Sequence, residues 1–121
     1  MYIDNVKSNE MTGTELSSHA RYGLAPIVII FNNAGYSTER GILEGPFNDI
    51  SAWRFDRFSE VFGPLQGYAV STEQDFETAL IAALQENKMP SLINVHLAVN
   101  DASAAMQRLA AHLKSRVEGT A

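Results

Sequence analysis

The sequence predicts an α/β fold in which helices cover both faces of a parallel sheet. Three short apolar runs alternate with helical patterns along the 121 residues, and this alternation is typical of parallel strands joined by right-handed crossovers. The strongest run, 26–31, is unbroken and rich in β-branched side chains, as are strands that are buried on both faces. We therefore expect a three-layer arrangement with the sheet in the middle.

The segment before this run contains one helix and a weaker strand signal. A short edge strand is indicated by scattered apolar residues, Tyr2, Ile3 and Val6. Thr12 and Glu15 have the Thr-x-x-Glu spacing of a capping box. We expect a helix to follow over 16–22 and to end at Gly23 in a left-handed conformation.

The segment after Glu39 is predicted to be a long loop. Residues 40–50 show no clear periodicity but contain large apolar side chains, and long loops in compact domains usually carry function. Beyond this loop, helical spacing predicts a short helix over 56–62 that ends at Gly63. We interpret the large apolar residues around this helix as core: Trp53, Phe55, Phe58, Val61 and Phe62.

The last part of the chain carries the clearest periodic patterns. Strands are predicted over 67–71 and 91–99, and Asn94 and His96 make one face of the second strand partly polar. We expect Thr72 to cap an amphipathic helix between them, and a final helix to cover 103–117. The apolar stripes of these helices are Phe76, Ala79, Leu80, Ala83 and Leu84, and Met106, Leu109, Ala110, Leu113 and Val117.

Composition excludes several classes of function. The formal charge of −5 argues against nucleic-acid and anionic-membrane partners, which favour basic surfaces. The absence of Cys excludes disulfides, thiolate catalysis and cysteine-based zinc sites. No apolar run approaches the roughly 20 residues of a membrane span, and the amino terminus has no signal-peptide pattern. We therefore expect a soluble, cytoplasmic protein of one domain.

The candidate functional residues follow directly on the run 26–31. Asn32 and Asn33 come where the strand ends, and ligands of open α/β sheets bind beyond the carboxyl ends of the strands. The side-chain oxygen of Asn and the backbone carbonyl of Gly35 are suitable ligands for Mg²⁺, and Glu39 is a candidate acid or base. The alternative, from spacing alone, is that this stretch is an ordinary polar turn, because Asn and Gly are common turn residues.

Four motifs follow one another along the chain. They are Met-Thr-Gly-Thr-Glu-Leu at 11–16, Asn-Asn-Ala-Gly-Tyr-Ser-Thr-Glu at 32–39, Gly-Pro-Phe-Asn-Asp-Ile at 45–50, and Trp53. Together they resemble thiamine-diphosphate-dependent 2-oxo-acid decarboxylases, most closely the indolepyruvate, phenylpyruvate and pyruvate decarboxylase group. The resemblance implies a half-Rossmann-like sheet forming a partial thiamine-diphosphate-binding domain over 11–121, preceded by a non-family segment at 1–10.

The resemblance also implies a cofactor, thiamine diphosphate, and a metal ion, Mg²⁺. Asn33 and the backbone carbonyl of Gly35 match the Mg²⁺ ligands of the family, and the ion bridges to the diphosphate of the cofactor. Tyr36 and Thr38 belong to the same cofactor-binding segment, where Thr38 is at a pocket-lining position. Glu39 matches the catalytic carboxylate that donates or relays a proton to the substrate-derived intermediate.

Some functional residues of the family have no match in this chain. The Gly-Asp-Gly motif of the family would place a further metal ligand at Val6, between Asn5 and Lys7, whereas Asp4 is two residues away. The catalytic histidines of the family and the Glu that activates the thiamine ring belong to a pyrimidine-binding domain, which we expect to be missing here. We interpret all three histidines as structural: His19, His96 and His112.

Two functions are compatible with this sequence. The first is a remnant of a decarboxylase domain, inactive alone, with poor or absent affinity for thiamine diphosphate and in need of a complementing chain. The second is a non-catalytic homo-oligomeric interaction module that reuses the fold. Exposed sheet edges are usually covered, so we expect residues 1–7 to pair with the strand 26–31, or two chains to pair across it as a homodimer.

Overall fold

The computed structural model describes residues 1–5 and 13–119, which divide into two compact units. The first unit comprises the described residues of Met1–Asn32 and Trp53–Leu97, and the second comprises those of Asn33–Ala52 and Ala98–Ala121. Thr12 of the predicted capping box and Val6 of the predicted edge strand lie outside the described residues. Within the described ranges, every helix is too short or too polar to serve as a transmembrane segment.

The first unit is built on a parallel sheet, as predicted. Its strands among the described residues are β1 (Tyr2–Asn5), β2 (Ile27–Asn32), β3 (Gln66–Val70) and β4 (Ser91–His96), in the order β1-β2-β4-β3. β2 pairs with β4 from Ile27↔Ser91 to Asn32↔His96. The Leu97 N–H still donates to the Asn32 carbonyl at 2.9 Å, but β4 ends at His96 and does not continue to 99. The two central strands therefore end together at one edge of the sheet.

Both faces of this sheet are covered, which confirms the three-layer prediction. Ile29 and Ile93 lie on one face and form a core with Ala83 of α4 (Glu73–Gln85). On the other face, a 3-10 helix over Phe55–Arg57 packs against β3 and β4, and its Phe55 is completely buried. β2 is apolar and buried on both faces from Ile27 to Ile30, as expected of a covered strand, whereas β4 buries the polar Ser91 and Asn94 together with Leu92 and Ile93.

The helices of the first unit begin and end largely where the sequence predicts. A 3-10 turn over Gly13–Glu15 leads into α1 (Leu16–Arg21), and Gly23 follows with a left-handed φ of 63°, as expected of a residue that ends a helix. The cap of α4 is also confirmed, since Thr72 Oγ1 accepts a hydrogen bond from the Asp75 N–H at 3.1 Å. The helix predicted over 56–62 divides into the 3-10 turn described above and a short α3 (Ser59–Phe62).

The prediction of which apolar residues form the core is confirmed for some of them and wrong for others. Phe58 packs edge-on against both Phe55 and Phe62, with ring centroids 5.3 and 4.9 Å apart. Val61 and Leu84, which we predicted to be buried, are exposed. Trp53 is 41% exposed, although its ring packs against Phe55 and Phe58 with centroid distances of 5.9 and 6.3 Å.

The second unit contains a helix that the sequence analysis missed. We predicted a loop over 40–50, but α2 covers Ser37–Ile42 and a 3-10 turn covers Pro46–Asn48. α2 packs against α5 (Ala104–Glu118), and a Cβ atom added to Gly41 would lie 2.4 Å from the Cβ of Ala110. This contact is made by residues too small to give a hydrophobic pattern, so periodicity could not reveal the helix. α5 itself confirms the prediction over 103–117, although Leu109 and Val117 of its stripe are exposed.

The edge of β2 that does not pair with β4 is covered by β1. This is the first of the two predicted alternatives, in which residues 1–7 pair with the strand. β1 runs parallel to β2 and pairs with it from Tyr2↔Val28 to Asn5↔Phe31. The carboxyl end of β1 therefore lies at the same edge as the carboxyl end of β2. The prediction that residues 1–7 pair with this strand is confirmed for Tyr2–Asn5, and pairing between two chains stays a prediction.

Polar side chains cluster where β2 and β4 end. Asn32 Nδ2 donates to Oδ1 of the buried Asn94 at 3.1 Å, and Asn94 Nδ2 lies 3.4 Å from Nε2 of the exposed His96. Asp56 also accepts a hydrogen bond from Asn94 and pairs with Arg54 at 3.1 Å. These bonds satisfy polar groups at the edge of an apolar layer, in line with the structural role that we predicted for His96.

The Gly67 position provides a test of the tight packing on the Phe55 face. A Cβ atom at this position would lie 1.7 Å from the backbone carbonyl oxygen of Asp56, and a backbone atom cannot move aside without shifting the 3-10 turn. We expect Gly67→Ala to lower the free energy of unfolding by about 1–3 kcal/mol or more, measured by urea denaturation. Ala69→Ser, at an exposed position of the same strand, should stay within about 0.5 kcal/mol of the wild type. Equal stability of all three proteins would contradict this packing.

The charge of Asp56 makes the stability of the fold dependent on pH. Burial alone would raise the pKa of Asp56, but its hydrogen bonds to Arg54 and Asn94 and the charge of Arg54 outweigh burial and lower the pKa below 3.8. A lowered pKa stabilises the fold fully above the unfolded-state pKa, and this stabilisation is lost as pH falls through the folded-state pKa. We expect Asp56→Asn to flatten the stability profile below about pH 5, measured by thermal denaturation across pH.

The exposed Asp101→Asn variant is the control for this measurement. It removes one carboxylate of the same type and should leave the shape of the acid profile close to that of the wild type. An Asp56→Asn profile that runs parallel to the wild type down to pH 2 would show that the Arg54–Asp56 pair does not contribute.

Candidate functional site

The chain leaves the sheet at Asn32, and Asn33 is the first residue of the second unit. The Asn33 side chain is half-buried, and its Nδ2 donates a short hydrogen bond to the Ser37 hydroxyl in the first turn of α2. This bond fixes the rotation of the amide group. The amide nitrogen is directed at Ser37, which leaves the side-chain oxygen, Oδ1, to accept a hydrogen bond or to bind a metal ion.

The backbone between Asn33 and Tyr36 adopts an unusual conformation. Ala34 has a φ of 58°, a left-handed value that is uncommon and costly for a residue with a Cβ atom. Such a conformation persists only where the surrounding structure holds it, and it is found most often at functional sites. An ordinary polar turn would place Gly or Asn at this position. The conformation of Ala34 therefore favours a functional interpretation of the loop over a simple turn.

Gly35 is buried and is held against the segment that carries Asp49. The two residues form an isolated antiparallel bridge, in which the neighbouring Tyr36 N–H donates to the Asn48 carbonyl at 2.9 Å. In this type of pairing the hydrogen bonds come from the residues that flank the bridge. The bridge therefore fixes the backbone of Gly35 without using its carbonyl oxygen.

The remaining predicted site residues lie at the start of α2. Tyr36 precedes the helix, and Thr38 and Glu39 are in its first turn; all three side chains are half-buried. The helix continues from this turn through the Arg40 N–H, which donates to the Tyr36 carbonyl at 2.9 Å. All five predicted residues therefore lie in one short loop-and-helix segment of the second unit, as the sequence analysis expects.

Arg40, which was not predicted as a site residue, makes two ion pairs beside this segment. The Arg40 guanidinium donates to Asp49 Oδ1 at 2.5 Å and to Glu44 Oε1 at 2.9 Å. The hydrogen bond that Arg40 donates to Asp49 raises the pKa of Arg40, and the charge of Glu44 acts in the same direction against partial desolvation. The i,i+4 spacing of Arg40 and Glu44 was the available signal in the sequence, but nothing in the pattern pointed to Asp49.

A buried asparagine supports the same segment from the other side. The side chain of Asn48 is almost fully buried, and its Nδ2 donates to the Leu43 carbonyl at 2.8 Å. Its backbone N–H donates to the Gly45 carbonyl at 3.0 Å. These bonds shape the 3-10 turn that presents the Asn48 carbonyl to Tyr36. Asn48 lies in the Gly-Pro-Phe-Asn-Asp-Ile motif, whose role in the structure is to hold the Asn33–Gly35 loop.

The oxygen atoms of this loop fit a hard divalent cation. Asn33 Oδ1 and the Gly35 carbonyl are neutral oxygen ligands of the kind that Mg²⁺ takes in proteins. Across the described part of the chain, no three His, Cys, Asp or Glu side chains come together as a metal cage. Mg²⁺ usually keeps several waters and is held by a few protein oxygens together with phosphate groups. The loop fits this mode, in which a phosphate-bearing ligand completes the coordination.

Several known proteins are similar to this chain in sequence. A probable pyruvate decarboxylase of Schizosaccharomyces pombe is 33% identical over 98 residues, covering 78% of this chain and 17% of the relative. An alpha-keto-acid decarboxylase of Mycolicibacterium paratuberculosis is 33% identical over 73% of this chain and 16% of its own length. An indole-3-pyruvate decarboxylase of Azospirillum brasilense is 40% identical over 59% of this chain and 13% of its own length.

The fold is also similar to that of a known decarboxylase. The thiamine diphosphate-dependent 4-hydroxybenzoylformate decarboxylase of Rhodococcus jostii superposes with a TM-score of 0.74 at 31% identity, covering 83% of this chain and 20% of that protein. The chain thus spans less than a quarter of the length of the relatives it matches. A family model described as the C-terminal TPP binding domain of thiamine pyrophosphate enzymes matches residues 8–95. The chain therefore belongs to the family of C-terminal, thiamine-pyrophosphate-binding domains of thiamine pyrophosphate enzymes, and its relatives named here are decarboxylases.

Proposed function

We propose that this chain supplies the Mg²⁺-binding and diphosphate-binding loop of a thiamine-diphosphate-dependent 2-oxo-acid decarboxylase. The observation that carries the proposal is the geometry of 33–35. The Asn33 amide is turned by Ser37 so that Oδ1 is available, and the Gly35 backbone is fixed by a bridge that does not use its carbonyl. A loop that only reverses the chain needs neither feature.

The cofactor-binding role divides among the residues of this segment. Asn33 Oδ1 and the Gly35 carbonyl would hold Mg²⁺, which in turn holds the diphosphate of the cofactor. Tyr36 and Thr38 lie on either side of the helix start and would line the cofactor pocket. Because these ligands are neutral, the charge of the cation is left to balance the negative charge of the diphosphate.

Glu39 would supply the proton chemistry. Bound thiamine diphosphate supplies the nucleophilic carbon and electron sink that the decarboxylation of a 2-oxo acid requires. Glu39 is half-buried in the first turn of α2, close in sequence to the metal ligands but not one of them. A carboxyl group beside the bound substrate would act as the general acid or base of the reaction.

We also propose that these 121 residues do not catalyse turnover by themselves. They correspond to between 13% and 20% of the lengths of the decarboxylases to which they are similar, so the rest of a decarboxylase site must come from other protein segments. A complementing chain is one source of these segments. Alone, the chain should show weak affinity for thiamine diphosphate and no decarboxylation.

Calorimetry of the purified chain tests the cofactor role. With millimolar thiamine diphosphate and Mg²⁺, we expect weak binding heat that disappears when the metal is omitted. Asn33→Ala removes a proposed ligand and should weaken the metal-dependent affinity by at least about tenfold, since even groups that only orient a ligand contribute about 10–100-fold.

Asn87→Ala is the matched control, because Asn87 is an exposed asparagine that follows α4. This variant should bind as the wild type does. If a folded wild-type protein gives no metal-dependent heat at these concentrations, or if Asn33→Ala binds as well as the wild type, the proposed cofactor role is wrong.

A second candidate function, a homo-oligomeric interaction module, is favoured by the edges of the sheet. β1 and β3 are the outer strands among the described residues, and Gly67 and Ala69 of β3 have little or no side chain to block an approaching strand. On this proposal two chains pair through a sheet edge. Size-exclusion chromatography with light scattering should then give a dimer mass that falls towards 13.3 kDa on dilution; a monomer at every concentration would count against it.

A further inference from the structure

The Arg40 side chain folds back from α2 over the loop that precedes the helix. Its guanidinium group bridges Asp49 at 2.5 Å and Glu44 at 2.9 Å. The arginine side chain is only 11% exposed, whereas the side chains of its two carboxylate partners are 66% and 62% exposed. The positive group is thus the less exposed part of the cluster, and the two carboxylates are its more exposed part.

The inner side of the guanidinium contacts Gly35. A Cβ atom added to Gly35 would lie 2.5 Å from Nη2 of Arg40 and 2.6 Å from the Asn48 carbonyl oxygen. The guanidinium and the backbone of the 3-10 turn therefore both pack against the face of Gly35 on which other residues carry a side chain. A residue larger than Gly would not fit here, and Gly35 is closely packed on this face.

The charges of this cluster leave the loop suited to a cation. Arg40 carries one positive charge and is bonded to two carboxylates, Glu44 and Asp49, so the three side chains together carry one negative charge. A lone arginine against Gly35 would repel a divalent ion at the Gly35 carbonyl. The two carboxylates remove this repulsion while the guanidinium keeps its packing role.

We propose that Arg40 is a positioning residue that fixes the Gly35 carbonyl for metal binding by bridging Asp49 and Glu44 across the loop. This inference rests on the proposed function for its metal-binding part, while the fixing of the loop stands on the contacts alone. Arg40 is placed in no catalytic step, because its donors are directed at the protein carboxylates.

The planar shape of arginine is required for this role. Nη1 and Nη2 contact different carboxylates while Nη2 also lies against Gly35, and Nε is buried without a hydrogen-bond partner among the described residues. Lysine carries the same charge, but its three donors share one nitrogen at the end of a flexible stem, so it does not impose a fixed separation on two carboxylates. The proposal therefore predicts that Arg40→Lys fails to replace arginine.

Two variants and one control test the proposal in the full chain. Arg40→Lys keeps the charge and loses the two-point geometry, whereas Arg40→Gln loses both. Arg57→Gln is the control, because Arg57 makes an exposed ion pair with Glu60 in the first unit, with a nitrogen–oxygen distance of 3.6 Å. Circular dichroism spectra and thermal melts establish that each variant is folded.

The first readout is hydrogen exchange of the Tyr36 amide without any cofactor. This N–H donates across the bridge to Asn48, so its protection reports whether the loop is held. We expect both Arg40 variants to accelerate its exchange by at least about tenfold, as the loss of a charge-assisted hydrogen bond predicts, while Arg57→Gln leaves it unchanged. The second readout is calorimetric affinity for Mg²⁺ with thiamine diphosphate, which should fall by about 10–100-fold in both variants.

The outcomes separate this inference from the proposed function. Unchanged exchange of Tyr36 in both Arg40 variants overturns the inference, whatever the cofactor does. Wild-type exchange and affinity in Arg40→Lys, with losses only in Arg40→Gln, also overturn it, because charge alone would then be sufficient. If exchange is accelerated in both variants but the wild-type chain shows no metal-dependent binding, the fixing of the loop is supported and the proposed function is overturned.

Discussion

The pairing of β2 with β4 is the constraint on which the rest of the structure depends. Ile27 to Ile30 are buried along β2, and the first part of β4 is buried as well. Polar side chains on a strand that is covered on both faces are costly unless they have partners. The fully buried Asn94 of β4 accepts a hydrogen bond from Asn32, the last residue of β2, and Asn33 begins the candidate loop. The pairing of the two strands therefore brings Asn32 and Asn94 together directly before this loop.

The 33–35 loop is more constrained than an ordinary turn. A reversal of the chain would be satisfied by Gly and Asn in a relaxed conformation. Here Ala34 has a left-handed backbone, the Asn33 amide is rotated by Ser37, and Gly35 is closely packed on one face. Each of these features constrains the backbone beyond what a turn needs. Sites that hold a ligand in a fixed geometry accept such local costs and depend on the surrounding structure to maintain them.

The sequence predicts those parts of the molecule that depend on hydrophobic periodicity and local capping. The central strands, α4 with its Thr72 cap and α5 all follow from these signals. α2 could not be predicted in this way, because its packing on α5 depends on Gly41 against Ala110. The candidate site residues were predicted from the Asn-Asn-Ala-Gly motif and its resemblance to a family, and their roles stay predictions. Arg40 was missed because Asp49, its partner, is adjacent only after the chain has folded.

Paramagnetic broadening by Mn²⁺ tests whether the 33–35 loop binds a metal ion. Mn²⁺ has the same preference for oxygen ligands as Mg²⁺, and it broadens the NMR signals of nearby amides. With thiamine diphosphate present, we expect the amides of Gly35 and Tyr36 to be broadened first and most strongly. Broadening centred on an exposed acidic stretch, such as Glu73 and Asp75 at the start of α4, with the loop unaffected, would contradict this expectation.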